Sequence, residues 1–192
     1  MTPPTDLPVL AFADQAAFEA WLEAEGARAP GVYVKLAKKG AGVPSVTYAE
    51  VVESALCFGW IDGRSNRLDD RFYLQRITPR RARSVWSQKN VEAVEALTAA
   101  GRMRPAGLTA VEAARADGRW ERAYAGSATI TMPDDLAEAL AAEPAAQREF
   151  EALDGTNRYA VLWRVHTAGT PGTRAKRIAA LVQMLAEGRR PH

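Results

Sequence analysis

The chain has little of the chemistry that metal and redox sites require. It contains one cysteine, Cys57, and two histidines, His166 and His192. One cysteine forms no disulfide within the chain, and these three residues do not make a His-rich metal site. We therefore predict a protein without a bound metal or cofactor, in a reducing compartment.

Two further absences bear on location. No apolar run approaches the roughly 20 residues that cross a bilayer, so no membrane span is predicted. Residues 1–6 have neither the basic nor the apolar stretch of a secretory signal peptide. Together with the single thiol, this predicts a cytoplasmic protein. Motifs of nucleotide-binding loops, zinc proteases and serine hydrolases are also missing.

What the chain does contain is an ordinary globular composition with an uneven charge. Of its 192 residues 47% are hydrophobic and 25% are charged, which is enough apolar material for a core. The net charge is only +2, but residues 1–63 carry −4, residues 64–90 carry +6, residues 91–155 carry −6 and residues 156–192 carry +6. If both basic segments lie on one surface, that surface attracts anions.

Strand and helix patterns alternate over residues 9–83. Asp14 is typical of an N-cap, and Thr47 with Glu50 forms a T-x-x-E capping box that opens a helix. A turn around Asp69 and Asp70 joins two strand-like runs as a hairpin. The predicted elements are a flexible lead-in 1–8, a strand 9–12, a helix 14–25, a strand 32–36, a helix 47–59 and strands 60–67 and 71–77.

From about Ser84 onward the pattern is helical. Thr109 and Glu112 form a second capping box, and Thr156 is a further candidate N-cap. Pro133 and Pro144 are placed as first-turn prolines. The last helix carries an apolar stripe at helical spacing, which consists of Ile178, Leu181, Val182 and Leu185.

This order predicts an α+β fold. A small, mainly antiparallel sheet with flanking helices occupies the N-terminal half, and the C-terminal half is helical. No Gly/Ser/Pro-rich linker separates the halves. We therefore predict a single domain over residues 9–188, with an α/β lobe at 9–83 and a helical lobe at 84–188.

Five segments follow one another in an order that is specific to one family. They are ALCFGWIDG at 55–63, PRRARSVWSQKN at 79–90, GRMRPAGL at 101–108, DGRWERAY at 117–124 and TRAKRI at 173–178. Together they resemble the bacterial YdeI/OmpD-associated family, also called bacteriocin-protection proteins. The resemblance extends from about Trp21 to Gly188, nearly the whole chain.

The resemblance implies a role in envelope stress and in resistance to cationic peptides, with an outer-membrane porin as partner. It supplies no catalytic residues. The chain shows no export signal, which argues against a periplasmic role and hence against the porin as partner.

The densest cluster of basic residues surrounds Pro79. Arg76, Arg80 and Arg83 precede the helix predicted near Ser84, and the N-terminus of a helix binds anions well. One interpretation is a cradle for phosphate or carboxylate. The other is that these arginines pair with the acidic segments 1–63 and 91–155, as most surface charge clusters do.

Strand alternation predicts Trp60, Asp62 and Arg64 on one face of the strand, and Gly59 and Gly63 lie on either side of Asp62. Asp62 is a candidate general base or a carboxylate that orients an arginine. The alternative is a cross-strand ion pair with Arg64 or Arg76.

Three further residue types have an ordinary structural interpretation beside the functional one. Trp60 and Trp86 are candidates for stacking on a ligand, or core residues. Cys57 is predicted as a buried, unreactive thiol. His166 is predicted as a partly buried residue with a satisfied ring, although histidine is also the natural acid/base near neutral pH.

Three hypotheses about function follow. In the first, a cytoplasmic stress- or resistance-linked protein binds a small anionic ligand in a pocket of Trp60, Asp62, Arg76, Arg80, Arg83 and Trp86. In the second, the same pocket is an enzyme site with Asp62 as general base; whether the chain is an enzyme stays open. In the third, the two basic segments bind nucleic acid weakly. The small net charge and the lack of a known nucleic-acid-binding motif both argue against this third hypothesis.

Overall fold

The computed structural model describes residue 4 and residues 6–191. In this part of the chain strands and helices alternate up to residue 79, and helices alone follow. This confirms the predicted α+β class. The elements are β1 Val9–Ala11, α1 Gln15–Glu25, β2 Val32–Ala37, α2 Tyr48–Cys57, β3 Trp60–Arg67, β4 Phe72–Pro79, α3 Gln88–Ala99, α4 Pro105–Ala116, α5 Asp134–Ala141, α6 Pro144–Glu151, α7 Gly155–His166 and α8 Pro171–Ala186.

The chain divides into two compact units. The first contains the described residues up to Ser84 together with Glu92–Asp117, and the second contains Val85–Val91 and the described residues from Gly118 onward. The sheet, α1, α2 and α4 thus belong to the first unit, and α5 to α8 belong to the second. That residues 9–188 form a single domain stays a prediction. The predicted lead-in, residues 1–8, lies partly outside the described residues.

The four strands of the first unit form one sheet in the order β1-β2-β4-β3. β1 is parallel to β2, whereas β2 and β3 both pair with β4 in the antiparallel sense. The sheet is therefore mainly antiparallel, as predicted. In the predicted β3–β4 hairpin, the Asp69 carboxylate accepts the backbone N–H groups of Arg71 and Phe72, each at 2.8 Å.

A β-bulge interrupts β3. The register with β4 shifts between Asp62 and Ser65. A bulge breaks the strict alternation of side chains along a strand. The prediction that Trp60, Asp62 and Arg64 share a face depends on that alternation, and it does not hold beyond Asp62.

Helix α2 begins as the sequence predicts. The Thr47 side chain accepts the Glu50 backbone N–H at 3.3 Å, and the Glu50 carboxylate accepts the Thr47 N–H at 2.7 Å. These two bonds complete the capping box. They also lower the pKa of Glu50, first through the Thr47 backbone N–H and then through its hydroxyl.

The core of the first unit joins the sheet to α1 and α2. Rings are in contact from Phe18 through Trp21, at a centroid separation of 6.3 Å, to Trp60, at 5.8 Å. The fully buried aliphatic members include Val32, Val34, Leu36, Val51, Leu74 and Ile77. Burying such side chains is the main source of stability.

Helix α4 lies very close to the C-terminal end of α2. A Cβ atom added at Gly107 would lie 2.2 Å from the carbonyl oxygen of Cys57. One added at Gly59, where φ is +74°, would lie 2.7 Å from the carbonyl oxygen of Ala106. These two glycines permit the approach, because any larger residue would collide with backbone atoms.

The second unit is a packed set of helices. Its hydrophobic cluster consists of Leu136, Leu140, Ala146, Phe150, Leu153, Val161, Leu162, Val165, Ile178, Leu181 and Leu185. Three of the four predicted stripe residues of α8 belong to this cluster. The fourth, Val182, packs against it and is partly buried.

Three predicted helix starts are wrong. The first C-terminal helix begins at Gln88, where the Ser87 hydroxyl accepts the Asn90 N–H at 3.2 Å, and not near Ser84. Thr109 and Glu112 do not open a helix, because α4 already begins at Pro105, whose fixed φ suits the first helical position.

The third error concerns α7. Its N-cap is Asp154, whose carboxylate accepts the Asn157 N–H at 2.8 Å, and not Thr156. Pro144 opens α6 as predicted, whereas Pro133 is the N-cap residue before α5 rather than a residue of its first turn.

Candidate functional site

The loop between β2 and α2 lines a concave feature of the first unit. Residues 37–48 line a concavity of about 540 Å³, which we call the loop pocket. The Ala41 N–H donates to the Lys38 carbonyl at 3.0 Å, which makes a tight turn, and Gly40 within it has φ +85°. Gly42 also has a positive φ, +67°, and a Cβ at either glycine would meet open space.

The neighbouring hairpin holds this loop in place. Lys38 Nζ donates to the carbonyl of Asp69 at 2.7 Å, and Arg71 Nη2 donates to the carbonyl of Ala41 at 3.1 Å. On the other side, Ser45 Oγ accepts the Ala37 N–H at 3.1 Å. The loop is therefore tied to the sheet at several points, although its backbone is irregular.

The loop pocket carries positive charge and unused donors. Lys39 is exposed, and its ammonium forms no ion pair or hydrogen bond with the described residues. The backbone N–H groups of Lys39, Gly40 and Gly42 likewise donate to no atom in the described chain. Lys35 lies nearby on β2, with its Nζ 4.0 Å from the centroid of the Phe72 ring.

The Asp69 carboxylate, on which the charges of Lys35 and Lys38 act, is already engaged in hydrogen bonds. Hydrogen bonds from the backbone of Arg71, and then of Phe72, lower the pKa of Asp69, and the charges of Lys35 and Lys38 act in the same direction. Asp69 therefore offsets part of the lysine charge.

A hydrogen bond from Tyr48 connects Asp62 to the edge of the loop pocket. The Tyr48 hydroxyl donates to Asp62 Oδ2 at 2.7 Å, and Tyr48 is both a lining residue of the pocket and 41% exposed. Asp62 forms no ion pair with Arg64 or Arg76 among the described residues, so that structural alternative is wrong. Its proposed role as a general base stays a prediction.

The two tryptophans of the predicted site are buried. Trp60 is 3% exposed and lies edge-on against Trp21, and Trp86 is 2% exposed and lies 5.0 Å from Trp120. Their burial favours the core interpretation of both. It leaves little of either ring available for stacking on a ligand.

The arginines of the predicted site have different surroundings. Arg76 Nη2 donates to Asp6 at 3.1 Å, and Tyr33, which pairs with Arg76 across the sheet, donates to the same carboxylate at 3.2 Å. Arg83 is exposed and Arg80 is half-buried. Arg80 and Arg83 belong to the first unit, whereas α3 begins in the second. Their convergence on the start of that helix stays a prediction.

Comparison with known families divides the chain in two. Residues 10–110, more than half of the chain, match the family model described as Domain of unknown function (DUF8412). The chain belongs to the DUF8412 family. Residues 129–188 match the model described as Bacteriocin-protection, YdeI or OmpD-Associated, which confirms the predicted resemblance over that segment. No curated protein and no solved structure is significantly similar to the chain.

The loop pocket and the Tyr48–Asp62 pair both lie within the DUF8412 segment. So does Cys57, which is 1% exposed; burial raises the pKa of its thiol, while the charge of nearby Arg102 opposes the shift. The prediction of a buried thiol is confirmed. Arg102 itself bridges Glu19 and Glu53, at 2.8 Å each, so its charge is neutralised within the unit.

The basic run TRAKRI lies in the YdeI/OmpD-associated segment and has a structural role that sequence reasoning missed. Arg174 donates to both oxygens of Asp135, at 2.6 and 2.8 Å, and to the carbonyl of Val165 at 3.1 Å. Arg177 donates to the carbonyl of Arg164 at 2.6 Å. Cations at the C-terminal end of a helix satisfy its last carbonyls, and here two arginines of α8 do so for α7.

His166 is partly buried, and its Nε2 lies 2.9 Å from the carbonyl oxygen of Thr131. This agrees with the prediction of a satisfied ring. Among the described residues no group of three or more His, Cys, Asp or Glu side chains is arranged to hold a metal ion. Nor does any helix described here have the length and apolar character needed to cross a membrane.

Proposed function

We propose that this DUF8412-family protein is a cytoplasmic, stress- or resistance-linked protein that binds a small anion at the loop pocket. The observation that carries the binding proposal is the grouping of Lys39 with the backbone N–H groups of Gly40 and Gly42 around one concavity. The description of the matched C-terminal family, bacteriocin protection, supports the resistance part. The single, buried thiol supports the cytoplasmic part.

The physical basis is the affinity of irregular backbone for anions. Successive N–H groups in a turn with left-handed residues form a concavity of partial positive charge, which suits phosphate and carboxylate oxygens. Glycine at positions 40 and 42 leaves this backbone open, since neither carries a Cβ. A lysine ammonium beside such a turn adds a full charge and further donors.

Two neighbouring features shape the expected ligand. The N-terminus of α2 lies at the pocket through Thr47 and Tyr48, and its dipole favours an anion, although the Glu50 carboxylate offsets part of this field. The second feature is the Tyr48 hydroxyl, which donates to Asp62 at 2.7 Å and places an uncharged polar group at the edge of the loop pocket.

The Tyr48–Asp62 hydrogen bond is also the observation that favours the second candidate, an enzyme at this site. A carboxylate that accepts a tyrosine proton is placed to act as a base through that tyrosine. Turnover decides between the two. If the wild type converts a bound phosphate ester or hydroxy acid into a product and Asp62→Asn does not, the protein is an enzyme. If the wild type binds the ligand and forms no product, it is a binding protein.

Calorimetric titration with phosphate, sulfate and citrate tests the binding proposal. A charge-assisted hydrogen bond contributes about 1.5–3 kcal/mol, so Lys39→Gln should weaken binding by about tenfold or more. Lys89→Gln is the matched control, because Lys89 is also an exposed lysine but does not line the loop pocket. Binding of none of the three anions by the wild type, or equal losses in both variants, would reject the proposal.

Arg80→Ala separates this pocket from the arginine cradle that the sequence predicts. If anion affinity depends on Arg80 and not on Lys39, the cradle is the binding site and the loop pocket is not. If Lys39 alone matters, the loop pocket is the site. The fold of each variant is checked by far-ultraviolet circular dichroism.

A further inference from the structure

The second unit contains a separate pocket with a different chemistry. It has a volume of about 610 Å³ and lies between α7 and α8, in the YdeI/OmpD-associated segment and the residue that follows it. We call it the arginine pocket. Its lining consists of Trp163, Arg164, Arg177, Ala180, Leu181, Gln183, Met184 and Arg189.

The lining of the arginine pocket includes three arginines and no carboxylate. The Arg164 side chain is partly buried and forms no hydrogen bond or ion pair with the described residues. Arg177 uses Nη1 for the carbonyl of Arg164 and for Thr167 Oγ1, at 2.6 and 3.2 Å. Its Nε and Nη2 remain for a ligand. Arg189 is paired with Glu187, which lies outside the lining.

Apart from Gln183, the remaining lining residues are apolar. Leu181 is 4% exposed, Met184 is partly buried, and Trp163 is partly buried with its ring 5.9 Å from that of Tyr124. Methionine is flexible and polarisable, so it adapts to apolar groups of differing shape. Inorganic phosphate would contact only the guanidinium groups and leave these apolar side chains exposed to water.

From the presence of guanidinium groups and apolar side chains in one lining we infer a binding site for an amphiphilic anion, a phosphate or carboxylate head attached to an apolar tail. Arg164 and Arg177 bind the head by charge-assisted hydrogen bonds, the strongest kind available to surface side chains. Met184, Leu181 and Trp163 cover the tail. This site is independent of the loop pocket, because all of its residues lie in the other unit.

The test uses three probes that separate head from tail: octyl phosphate, inorganic phosphate and 1-octanol. Each is titrated by calorimetry into wild type, Arg164→Gln and Lys176→Gln. Lys176 is the matched control, because it is an exposed cation of α8 outside the lining. Burial of several methylene groups should make octyl phosphate bind at least tenfold tighter than inorganic phosphate.

Arg164→Gln is expected to weaken octyl phosphate by about tenfold or more, since it removes a charged partner, and Lys176→Gln is expected to leave its affinity unchanged. Lys39→Gln should also leave it unchanged, which separates this site from the loop pocket. Met184→Gln should reduce the preference for octyl phosphate over phosphate.

The inference is overturned if octyl phosphate does not bind or binds no tighter than phosphate. Equal losses in Arg164→Gln and Lys176→Gln would overturn it too. If circular dichroism shows that Arg164→Gln is unfolded, Met184→Gln decides: a reduced preference for octyl phosphate over phosphate supports the site, and an unchanged preference contradicts it.

Discussion

The close approach of α4 to the end of α2 predicts that Gly107→Ala destabilises the first unit. The new methyl carbon would lie 2.2 Å from the Cys57 carbonyl oxygen and 2.9 Å from that of Leu56. Both are backbone atoms, so neither can rotate away as a side chain would. The helices must separate, or α4 must shift along its axis.

The magnitude follows from two opposed effects. Alanine in place of a helical glycine favours the helix by about 1 kcal/mol. Overpacking a tight contact costs about 1–3 kcal/mol, and contacts between backbone atoms belong at the upper end of that range. We therefore expect a net loss of about 1–2 kcal/mol in the free energy of unfolding.

The single thiol offers a local assay. Cys57 is 1% exposed and its carbonyl is the atom that Gly107 approaches, so labelling of its thiol in increasing urea reports unfolding of the first unit itself. With a urea dependence of about 1–3 kcal/mol per molar, the midpoint should fall by about 1 M. Gly63→Ala is the control, because its Cβ would meet Arg76 at an ordinary 3.7 Å. Equal midpoints in wild type and Gly107→Ala would refute the reasoning.

Two further outcomes are expected from the charged contacts. Hydrogen bonds from Arg174 lower the pKa of the Asp135 carboxyl in the folded protein. The ionised carboxylate therefore stabilises the folded state at pH values above its unfolded pKa of about 3.9. This stabilisation is lost as the pH falls through the pKa that Asp135 has in the folded state. Because both side chains are partly exposed, Asp135→Asn should lower the free energy of unfolding by only about 0.5–1 kcal/mol at pH 7. Thermal melts should show that this difference from the wild type shrinks below about pH 4. An equal difference at pH 3 and pH 7 would contradict the prediction. Arg102→Gln should destabilise the first unit by about 1–3 kcal/mol, because Glu19 and Glu53 lose their shared partner. Labelling of the Cys57 thiol in increasing urea measures this change. An unchanged urea midpoint would show that the ion pairs of Arg102 contribute nothing to stability.

Motifs whose residues lie close together in the sequence predicted the structure best. Thr47 and Glu50 form their capping box because every group involved lies within four residues, and the hairpin turn at Asp69 is equally local. The same motif at Thr109 and Glu112 failed, because Pro105 had already fixed the start of that helix. There the Thr109 hydroxyl donates to the carbonyl of Pro105, one turn back, at 3.0 Å.

The loop pocket could not be read from the sequence. Tyr48 lies in the first turn of α2 and is 41% exposed. Its bond to Asp62 joins residues 14 positions apart and depends on how α2 packs on β3. Likewise, Trp60 and Trp86 have the residue type of ligand-stacking side chains, and only their burial separates them from such a role.

The most direct test of the proposed anion site is a phosphate titration followed by amide nuclear magnetic resonance at constant pH and ionic strength. The loop pocket predicts saturable shifts of the Gly40 and Gly42 backbone amide signals, with the same dissociation constant at both and with shifts that vanish in Lys39→Gln. The signal of Gly101, which follows α3 and lies outside both proposed pockets, should stay in place. Saturable shifts confined to other residues, or no saturable shift at Gly40 and Gly42, would contradict the proposal.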